Sequence, residues 1–237
     1  MPISKTDFIR GLQCEKMLWL DAHAPEYKII PPEVQARLDA GNEFGDNAMG
    51  IFGDFVETTC YRENGRLNYA AMIEKTLALI NEGAPVICEA AFSWYGNYCA
   101  VDILKKEGDG YALYEVKNTY HPRREFVLDL GFQRLILRKS GVNVRSCSLV
   151  LRGDTPPEGY APSEPLPAES ERFLTHNGFC YKLADMSQAA RKLDFLASNR
   201  IFELGKLKKK DAEIPKLEVG EQCDKPYRCW YYEYCHK

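Results

Sequence analysis

The stretch GYALYEVKN, residues 110–118, decides how this chain is interpreted, because it places two opposite charges in an apolar β-pattern. Its Val, Tyr and Leu residues favour a half-buried strand, in which successive side chains point to opposite faces of a sheet. Glu115 and Lys117 are two positions apart and therefore share one face. Since burying an unpaired charge is costly, we expect either a salt bridge or a metal site with a positioned lysine.

Two further segments with a strand pattern precede this one. The stretches PVICEAAFSW, residues 85–94, and NYCAVDILKK, residues 97–106, are rich in β-branched and aromatic residues, and turns containing glycine separate the three segments. They predict two hairpins in series, which form a three-stranded meander. Each strand carries one carboxylate, namely Glu89, Asp102 and Glu115.

Helical patterns flank the meander on both sides. Helices are predicted at residues 6–20, with Cys14 inside, and at 32–50, 68–83, 123–141 and 187–206. A strand is predicted at 144–152, a loop at 153–170 and a short hairpin at 173–186. We therefore expect an α/β fold with a mixed sheet, in which residues 1–237 form one domain of core order α-β-β-β-α-β with helices added at both ends.

The charges are nearly balanced, which limits the kinds of partner. The 237 residues include 34 acidic and 31 basic side chains, and the formal net charge is −3. A nucleic acid would have to be held by a local basic patch, such as KLKKK at 206–210, or through metal ions. No apolar run approaches the ~20 residues that span a bilayer, and the N-terminus lacks a signal-peptide core. We expect a cytoplasmic protein without a membrane segment.

The carboxylates of the meander have the chemistry of a metal site. Mg²⁺ and Mn²⁺ prefer oxygen ligands from one or two carboxylates, completed by water and substrate phosphate. Asp102 and Glu115, on adjacent strands, would hold such a cation between them. Lys117 would lie beside the metal, where it would orient or deprotonate a water, or offset charge that develops on phosphate. Each acid alone would be interpreted as a solvated strand residue.

The order of these residues resembles that of the PD-(D/E)xK nuclease superfamily, in which an Asp and a Glu-x-Lys on neighbouring strands bind metal for phosphodiester hydrolysis. The resemblance implies catalytic roles for Lys117 and Gln133, the latter being similar to a glutamine on the helix after the motif in RecB-type members. It implies a site for Mg²⁺ or Mn²⁺ with these ligands: Asp102, Glu115, the carbonyl of Val116, and Glu89. The implied activity is a DNA nuclease, more narrowly an exonuclease on single-stranded ends.

One part of the RecB-type pattern is missing. Those nucleases usually carry a metal-binding His on an upstream helix, whereas AGNEFGDNAMG, at residues 40–50, contains none. Glu43 or Asp46 would point into the site instead, or both are solvated helix residues. The number of metal ions therefore stays open, and so does a catalytically inactive DNA-binding module of the same fold.

Four of the nine cysteines predict a second metal site. In a reducing compartment, cysteines are more often metal ligands or buried thiols than disulfides. Cys223, Cys229 and Cys235 follow one another with five residues between successive cysteines, in a tail rich in aromatic residues. A complete site needs a fourth soft ligand, for which Cys14 is the best candidate.

This arrangement of cysteines resembles that of the iron–sulfur RecB-like nucleases, which include the AddB nuclease domain and nucleases of CRISPR adaptation. The likeness spans nearly the whole chain, although the last three cysteines are often spaced differently in those proteins. It implies a [4Fe–4S] cluster in a subregion formed by residues 1–20 and 207–237. It also implies that the chain is the N-terminal domain of a larger bacterial protein, with a further C-terminal domain.

Zinc in the same four-cysteine cage is the alternative to iron. The chain would then be a zinc-stapled interaction domain, with the strand acids paired to Lys and Arg. We interpret the remaining cysteines as small hydrophobic residues: Cys60, Cys88, Cys99, Cys147 and Cys180.

Overall fold

The computed structural model describes residues 1–160 and 165–236, in which seven strands form one mixed sheet covered by helices. The strands are β1 Val56–Glu57, β2 Val86–Trp94, β3 Asn97–Glu107, β4 Gly110–Val116, β5 Val144–Arg152, β6 Glu171–His176 and β7 Phe179–Asp185. Their order across the sheet is β1-β2-β3-β4-β5-β7-β6. The α-helices are α1 Lys5–Gln13, α2 Glu15–His23, α3 Pro32–Ala48, α4 Tyr69–Glu82, α5 Arg124–Lys139, α6 Ser187–Lys192, α7 Asp194–Leu207 and α8 Tyr232–Cys235. Short 3-10 helices lie at Pro25–Tyr27, Met49–Phe52 and Glu221–Cys223.

The predicted meander is present as β2, β3 and β4, which pair antiparallel in series. Tyr95 and Gly96, between β2 and β3, both have positive φ angles, 49° and 80°, which suit the twist of a two-residue hairpin. β4 and β5 are parallel with α5 as the crossover, and β1 and β2 are parallel with α4 between them. The order α-β-β-β-α-β is therefore found as α4-β2-β3-β4-α5-β5. The predicted C-terminal hairpin is found as β6–β7, and β7 pairs with β5.

Apolar residues cover both faces of the sheet. On one face, the larger core cluster joins β2–β5 to α1, α5 and α7. α5 is central to this layer, since 11 of its 16 residues are buried. On the other face, Phe44 and Ala48 of α3 pack against the remaining core residues of the sheet. Side chains that point from β4 towards α5 are therefore enclosed between the sheet and a helix.

The helix predicted at 6–20 is wrong in one respect, because the backbone is interrupted at Cys14. Its φ and ψ angles, −157° and 114°, are those of extended backbone, so Cys14 lies between α1 and α2 and not inside a helix. Neither glycine nor proline marks this break in the sequence. α2 instead packs on the C-terminal tail, where the Tyr231 hydroxyl donates a hydrogen bond to Asp21 of α2 at 2.9 Å.

The helix predicted at 187–206 is also divided, into α6 and α7, at Leu193. Leu193 packs closely on α5, because a Cβ added to Gly131 would lie 2.8 Å from the Cβ of Leu193. The division lets both short helices follow the surface of α5. Part of the predicted loop at 153–170, residues 161–164, lies outside the described residues, as does Lys237.

No helix among residues 1–160 and 165–236 combines the length and the apolar character that crossing a membrane requires.

Candidate active site

Three carboxylates lie at one level of three neighbouring strands. The antiparallel registers place Glu89 of β2 opposite Asp102 of β3, and Asp102 opposite Glu115 of β4. The β2–β3 ladder is interrupted at Glu89 and Asp102, and the β3–β4 ladder ends just before Asp102 and Glu115. There the backbone N–H of Val116 donates to Oδ2 of Asp102 at 2.6 Å. The side chain of Asp102 thus replaces part of the strand pairing.

The backbone at Glu89 is strained. Its φ of +54° lies in the left-handed region, which a residue other than glycine adopts at a cost of roughly 1–3 kcal/mol. The hydroxyl of Thr58 holds this conformation by donating to the carbonyl oxygen of Glu89 at 2.5 Å. On β2 the core-facing side chains change from Ile87 to Ala90 across this point, so the regular alternation of the strand is reset at Glu89. Strain of this kind is concentrated at functional sites.

An ammonium group from the N-terminal helix lies between two of the carboxylates. Lys5 Nζ is 2.9 Å from Oε1 of Glu115 and 3.9 Å from Oδ1 of Asp102. Lys5 is the first residue of α1, which begins with a capping box between Ser4 and Asp7. The cap fixes the start of α1 and thereby the position of the Lys5 side chain. Lys5 was not among the residues predicted from the sequence.

The Glu-x-Lys pair has the geometry that the strand period predicts, and a salt bridge is present. Lys117 Nζ lies 2.6 Å from Oε1 of Glu115 and 2.8 Å from Oδ2 of Asp129 on α5. Gln133, one helical turn after Asp129, donates from Nε2 to Oε2 of Glu115 at 2.6 Å. Glu115 is only 1% exposed and Gln133 is fully buried. Gln133 therefore orients Glu115, and it is Asp129 that holds Lys117.

Burial divides the carboxylates into two electrostatic classes. Burial raises the pKa of Glu89 to about 8, with a further contribution from the negative charge of Asp102. Burial also raises the pKa of Asp102 and is reinforced there by Glu115. Burial would raise the pKa of Glu115 as well, but the ammoniums of Lys117 and Lys5 lower it below its usual value. Cations within the site thus outweigh the effect of burial at Glu115, whereas Lys5 compensates Glu89 and Asp102 only in part.

Both lysines remain charged at neutral pH. Burial acts to lower the pKa of Lys117, but Asp129 and Glu115 raise it well above the usual value. The pKa of Lys5 is raised in the same way, against the effect of burial, by Glu115 and Asp102. Of the roles that the sequence left open for Lys117, an ammonium can orient a water or offset negative charge, but it cannot deprotonate a water.

The donor set fits one hard divalent cation. Four carboxylates and two ammoniums leave two negative charges when all are ionised. Carboxylate oxygens are the ligands that Mg²⁺ and Mn²⁺ prefer, and Glu89 forms no side-chain hydrogen bond or ion pair with residues 1–160 or 165–236. Within that part of the chain, no three His, Cys, Asp or Glu side chains stand in a complete metal-binding arrangement. Lys5 occupies the position between Asp102 and Glu115.

A cleft of about 470 Å³ opens onto Glu89 and Asp102. Lys5 and two further acids, Glu57 and Asp46, also line it. Asp46 and Glu43 both lie on α3, in the segment that lacks the expected His. Asp46 lines the cleft and therefore points towards the site, whereas the exposed Glu43 does not line it. Two exposed tyrosines, Tyr61 and Tyr69, also line the cleft.

The four cysteines predicted to form a second site lie close together in the structure. Cys14, Cys229 and Cys235 pack into one apolar cluster around the fully buried Tyr231, and the backbone N–H of Cys229 donates to the carbonyl of Cys223 at 2.7 Å. Gln13, next to Cys14, donates to two tail carbonyls at 2.9 and 2.7 Å. Residues from the two ends of the chain thus meet as expected.

Burial disfavours the thiolate form in this cluster, as it does for the thiols buried in the sheet. Burial raises the pKa of Cys229 to about 11, against a hydrogen bond from the N–H of Tyr231, and the other three cysteines raise it further. Burial likewise raises the pKa of Cys14, against the backbone N–H groups of Met17 and Lys16. Since the thiolate is the form that binds metal, a soft cation would remove this penalty. Four thiolates would suit iron or zinc equally as a donor set, although the described cysteines do not stand in a complete metal-binding arrangement.

The other cysteines lie where a small hydrophobic residue would. Cys88, Cys99 and Cys147 are buried in β2, β3 and β5, and Cys60 and Cys180 are half-buried. All nine cysteines have free thiols.

No protein-family model matches the chain, and a search of curated proteins returned no significant match. Lys5 and Asp129 are the two site residues that the sequence did not single out. Asp129 carried a usable signal, because it lies four residues before Gln133 and so on the same buried face of α5.

Proposed function

We propose that the chain is a metal-dependent nuclease that hydrolyses phosphodiesters in DNA, with a PD-(D/E)xK core of the RecB-like type. One observation carries the proposal: Glu89, Asp102 and Glu115 lie level on three adjacent strands, with Lys117 on the face of Glu115. The strained backbone of Glu89 and the incomplete charge compensation of Glu89 and Asp102 support it. The narrower proposal is an exonuclease on single-stranded ends.

Asp102, Glu115, Glu89 and the carbonyl of Val116 would hold Mg²⁺ or Mn²⁺. When bound, the cation supplies Lewis acidity, which acidifies a ligated water and neutralises charge on a phosphate oxygen. Binding there requires Lys5 to move away from the space between Asp102 and Glu115. Once displaced, the Lys5 ammonium would pair with a phosphate of the nucleic-acid backbone.

The chain's own residues have distinct roles in this proposal. Lys117, kept charged by Glu115 and Asp129, offsets negative charge that accumulates on the phosphate during attack. Gln133 fixes the orientation of Glu115 by its 2.6 Å hydrogen bond, and its burial excludes water from that side. Removing a preorganised charge of this kind typically costs about 10²–10³-fold in rate.

We also propose that Cys14, Cys223, Cys229 and Cys235 bind a [4Fe–4S] cluster, with zinc as the alternative ion. The role would be structural, since the ligands come from both ends of the chain and close a long loop. The reduced thiols that such a site needs favour the cytoplasm as its location.

A catalytically inactive DNA-binding module is a second candidate, which the position of Lys5 specifically favours. An ammonium 2.9 Å from Glu115 and 3.9 Å from Asp102 provides a permanent cation in the place where a divalent ion would bind. In such a module, Lys5 would complete the charge balance and no cleavage would occur with any divalent ion.

Cleavage of end-labelled single- and double-stranded DNA in Mn²⁺ tests the first proposal against the second. The wild-type protein should degrade DNA, Asp102→Asn should be inactive, and Lys117→Ala should be about 10²–10³-fold slower. Glu107→Gln is the matched control, because it removes a carboxylate from the far end of the same strand. Undiminished cleavage by the Asp102→Asn and Lys117→Ala proteins would refute the mechanism, and no cleavage by the wild type would favour the inactive module.

A further inference from the structure

A small hairpin carries two arginines beside the cleft. Residues 60–68, which we call the arginine hairpin, connect β1 to α4. Arg62 N donates to the Arg66 carbonyl at 2.8 Å, Tyr61 pairs with Leu67, and Gly65 makes the turn with a φ of +75°. The hairpin therefore places the two guanidinium-bearing residues opposite each other across a tight turn.

These arginines have no acidic partner among residues 1–160 and 165–236. Arg62 and Arg66 are both exposed, and neither forms a side-chain hydrogen bond or salt bridge there. Together with Leu67 and Tyr69 they line a shallow depression next to the cleft. Two guanidiniums that line one depression without an acidic partner offer a site for an anion such as a phosphate.

Aromatic side chains continue from the arginines into the cleft. Tyr61 is 67% exposed and Tyr69 is 49% exposed, and both line the same cleft as Glu89 and Asp102. The ring of Tyr69 packs on that of Tyr98 at 4.6 Å between centroids, which fixes its orientation while one face stays accessible. Positioned, exposed rings beside cations are the elements from which single-stranded nucleic-acid sites are built.

The floor of the cleft cannot attract a phosphate backbone by itself. Its lining carries four acids, Glu57, Glu89, Asp46 and Asp102, against the ammonium of Lys5, which already contacts Glu115 and Asp102, and the whole chain has a net charge of −3. A nucleic acid that reaches the carboxylates must therefore be held by cations outside the floor. Arg62 and Arg66 supply such charge at the rim of the cleft.

We propose that the arginine hairpin and Tyr69 form a subsite for single-stranded nucleic acid. Arg62 and Arg66 bind backbone phosphate, and Tyr69, with Tyr61, stacks on an unpaired base. A single strand is required because the bases of a duplex do not offer free faces for stacking, and a cleft of about 470 Å³ suits one or two nucleotides. The inference deepens the proposed nuclease function, on which it rests for its biological meaning, but the binding itself needs no cleavage.

Fluorescence anisotropy with labelled 16-mers of deoxythymidine and of uridine, in EDTA, tests the subsite. We expect the double variant Arg62→Ala/Arg66→Ala to bind more weakly. The slope of log K against log salt concentration should become shallower by about 1.4, because each phosphate contact on a single strand contributes about 0.7. Tyr69→Ala should weaken binding about 5- to 150-fold, and Tyr69→Phe should restore it. The control Arg191→Ala/Lys192→Ala removes two exposed cations from α6 and should leave binding unchanged. A further variant, Lys209→Ala/Lys210→Ala, tests the basic run at 206–210 as the rival phosphate-binding patch.

The subsite is overturned if the arginine double variant and the Tyr69→Ala variant both bind with wild-type affinity. It is also overturned if the wild-type protein binds neither 16-mer. Loss of binding only in the Lys209→Ala/Lys210→Ala protein would assign the phosphate contacts to the basic run at 206–210 and would also overturn the subsite. Preference for one 16-mer distinguishes DNA from RNA as the source of the strand. Cleavage in Mn²⁺ is measured separately, so that a protein that binds through the hairpin without cleaving refutes only the nuclease.

Discussion

The ammonium of Lys5 lies 2.9 Å from the carboxylate of Glu115, although the two residues are 110 positions apart. This contact attaches the start of α1 to the centre of the sheet. The other end of α1 leads directly into Cys14, so one nine-residue helix links the carboxylate site to the cysteine cluster. α1 thus has one end at each of the two proposed sites.

Replacing Lys5 should make the protein depend on divalent cations for stability. Lys5→Met leaves buried carboxylates with less compensation, and breaking a buried ion pair typically costs about 3–5 kcal/mol. Because the competing ammonium is gone, Mn²⁺ should raise the melting temperature of the variant more than that of the wild type. Differential scanning fluorimetry with and without Mn²⁺ measures both effects.

The matched control is Lys106→Met, an exposed lysine on β3. It should behave like the wild type in both conditions. An equal Mn²⁺ shift for Lys5→Met and wild type would show that Lys5 and the cation do not share one position.

The raised pKa of Glu89 predicts a loss of stability with rising pH in EDTA. The folded protein keeps a proton on Glu89 up to about pH 8, whereas the unfolded chain releases it near its ordinary value of about 4.3. Between these values the folded state binds more protons, so the free energy of unfolding falls as the pH rises. Glu89→Gln removes this contribution, and its stability relative to wild type should increase from pH 5 to pH 8. The measurement is thermal unfolding of both proteins from pH 5 to pH 8. If the stability difference between Glu89→Gln and wild type stays constant over this range, Glu89 does not have the raised pKa of a buried carboxyl.

The hydrogen bond from Gln133 to Glu115 should be measurable as stability. Gln133→Leu removes a donor to a buried carboxylate, for which we expect a loss of about 1.5–3 kcal/mol in urea unfolding. Gln133→Glu should be worse, because it places a second negative charge beside Glu115. Wild-type stability in both variants would mean that Gln133 does not orient Glu115.

Cys14 should be required for metal at the cysteine cluster. Protein prepared without oxygen should contain iron, or zinc under the alternative, and Cys14→Ser should lose most of it by elemental analysis. The melting temperature should fall in parallel, because both ends of the chain are released. Cys60→Ser, a half-buried thiol outside the cluster, is the control and should keep its metal. Equal metal content in the two variants would exclude Cys14 as a ligand.

Local patterns in the sequence were sufficient for the meander, for β5, for the C-terminal hairpin and for half of the site, but not for β1 or for the order of the seven strands. The period of two in β2–β4, with glycine turns between them, predicted the meander, and the same period put Glu115 and Lys117 on one face. These predictions succeeded because they depend on neighbours within about ten residues. Gln133 was singled out differently, through the resemblance to RecB-type nucleases, and it lies 18 residues from its partner Glu115.

Long-range packing accounts for what the sequence did not predict. Lys5 reaches Glu115 only because the capped start of α1 lies against the sheet, and no local pattern encodes that contact. The interruption at Cys14 had no glycine or proline to mark it, since it depends on how α2 meets the tail. Asp129 was overlooked because a single acid in a helix is usually solvated, although its spacing from Gln133 was informative.

Titration of the apo protein with Mn²⁺ by calorimetry tests the central claim, that the strand carboxylates form one cation site. The account predicts about one strong equivalent for the wild type, affinity weakened at least about tenfold by Asp102→Asn, and no change with Glu107→Gln. Absence of Mn²⁺ binding by the wild type, or equal binding by the Asp102→Asn protein, would contradict it.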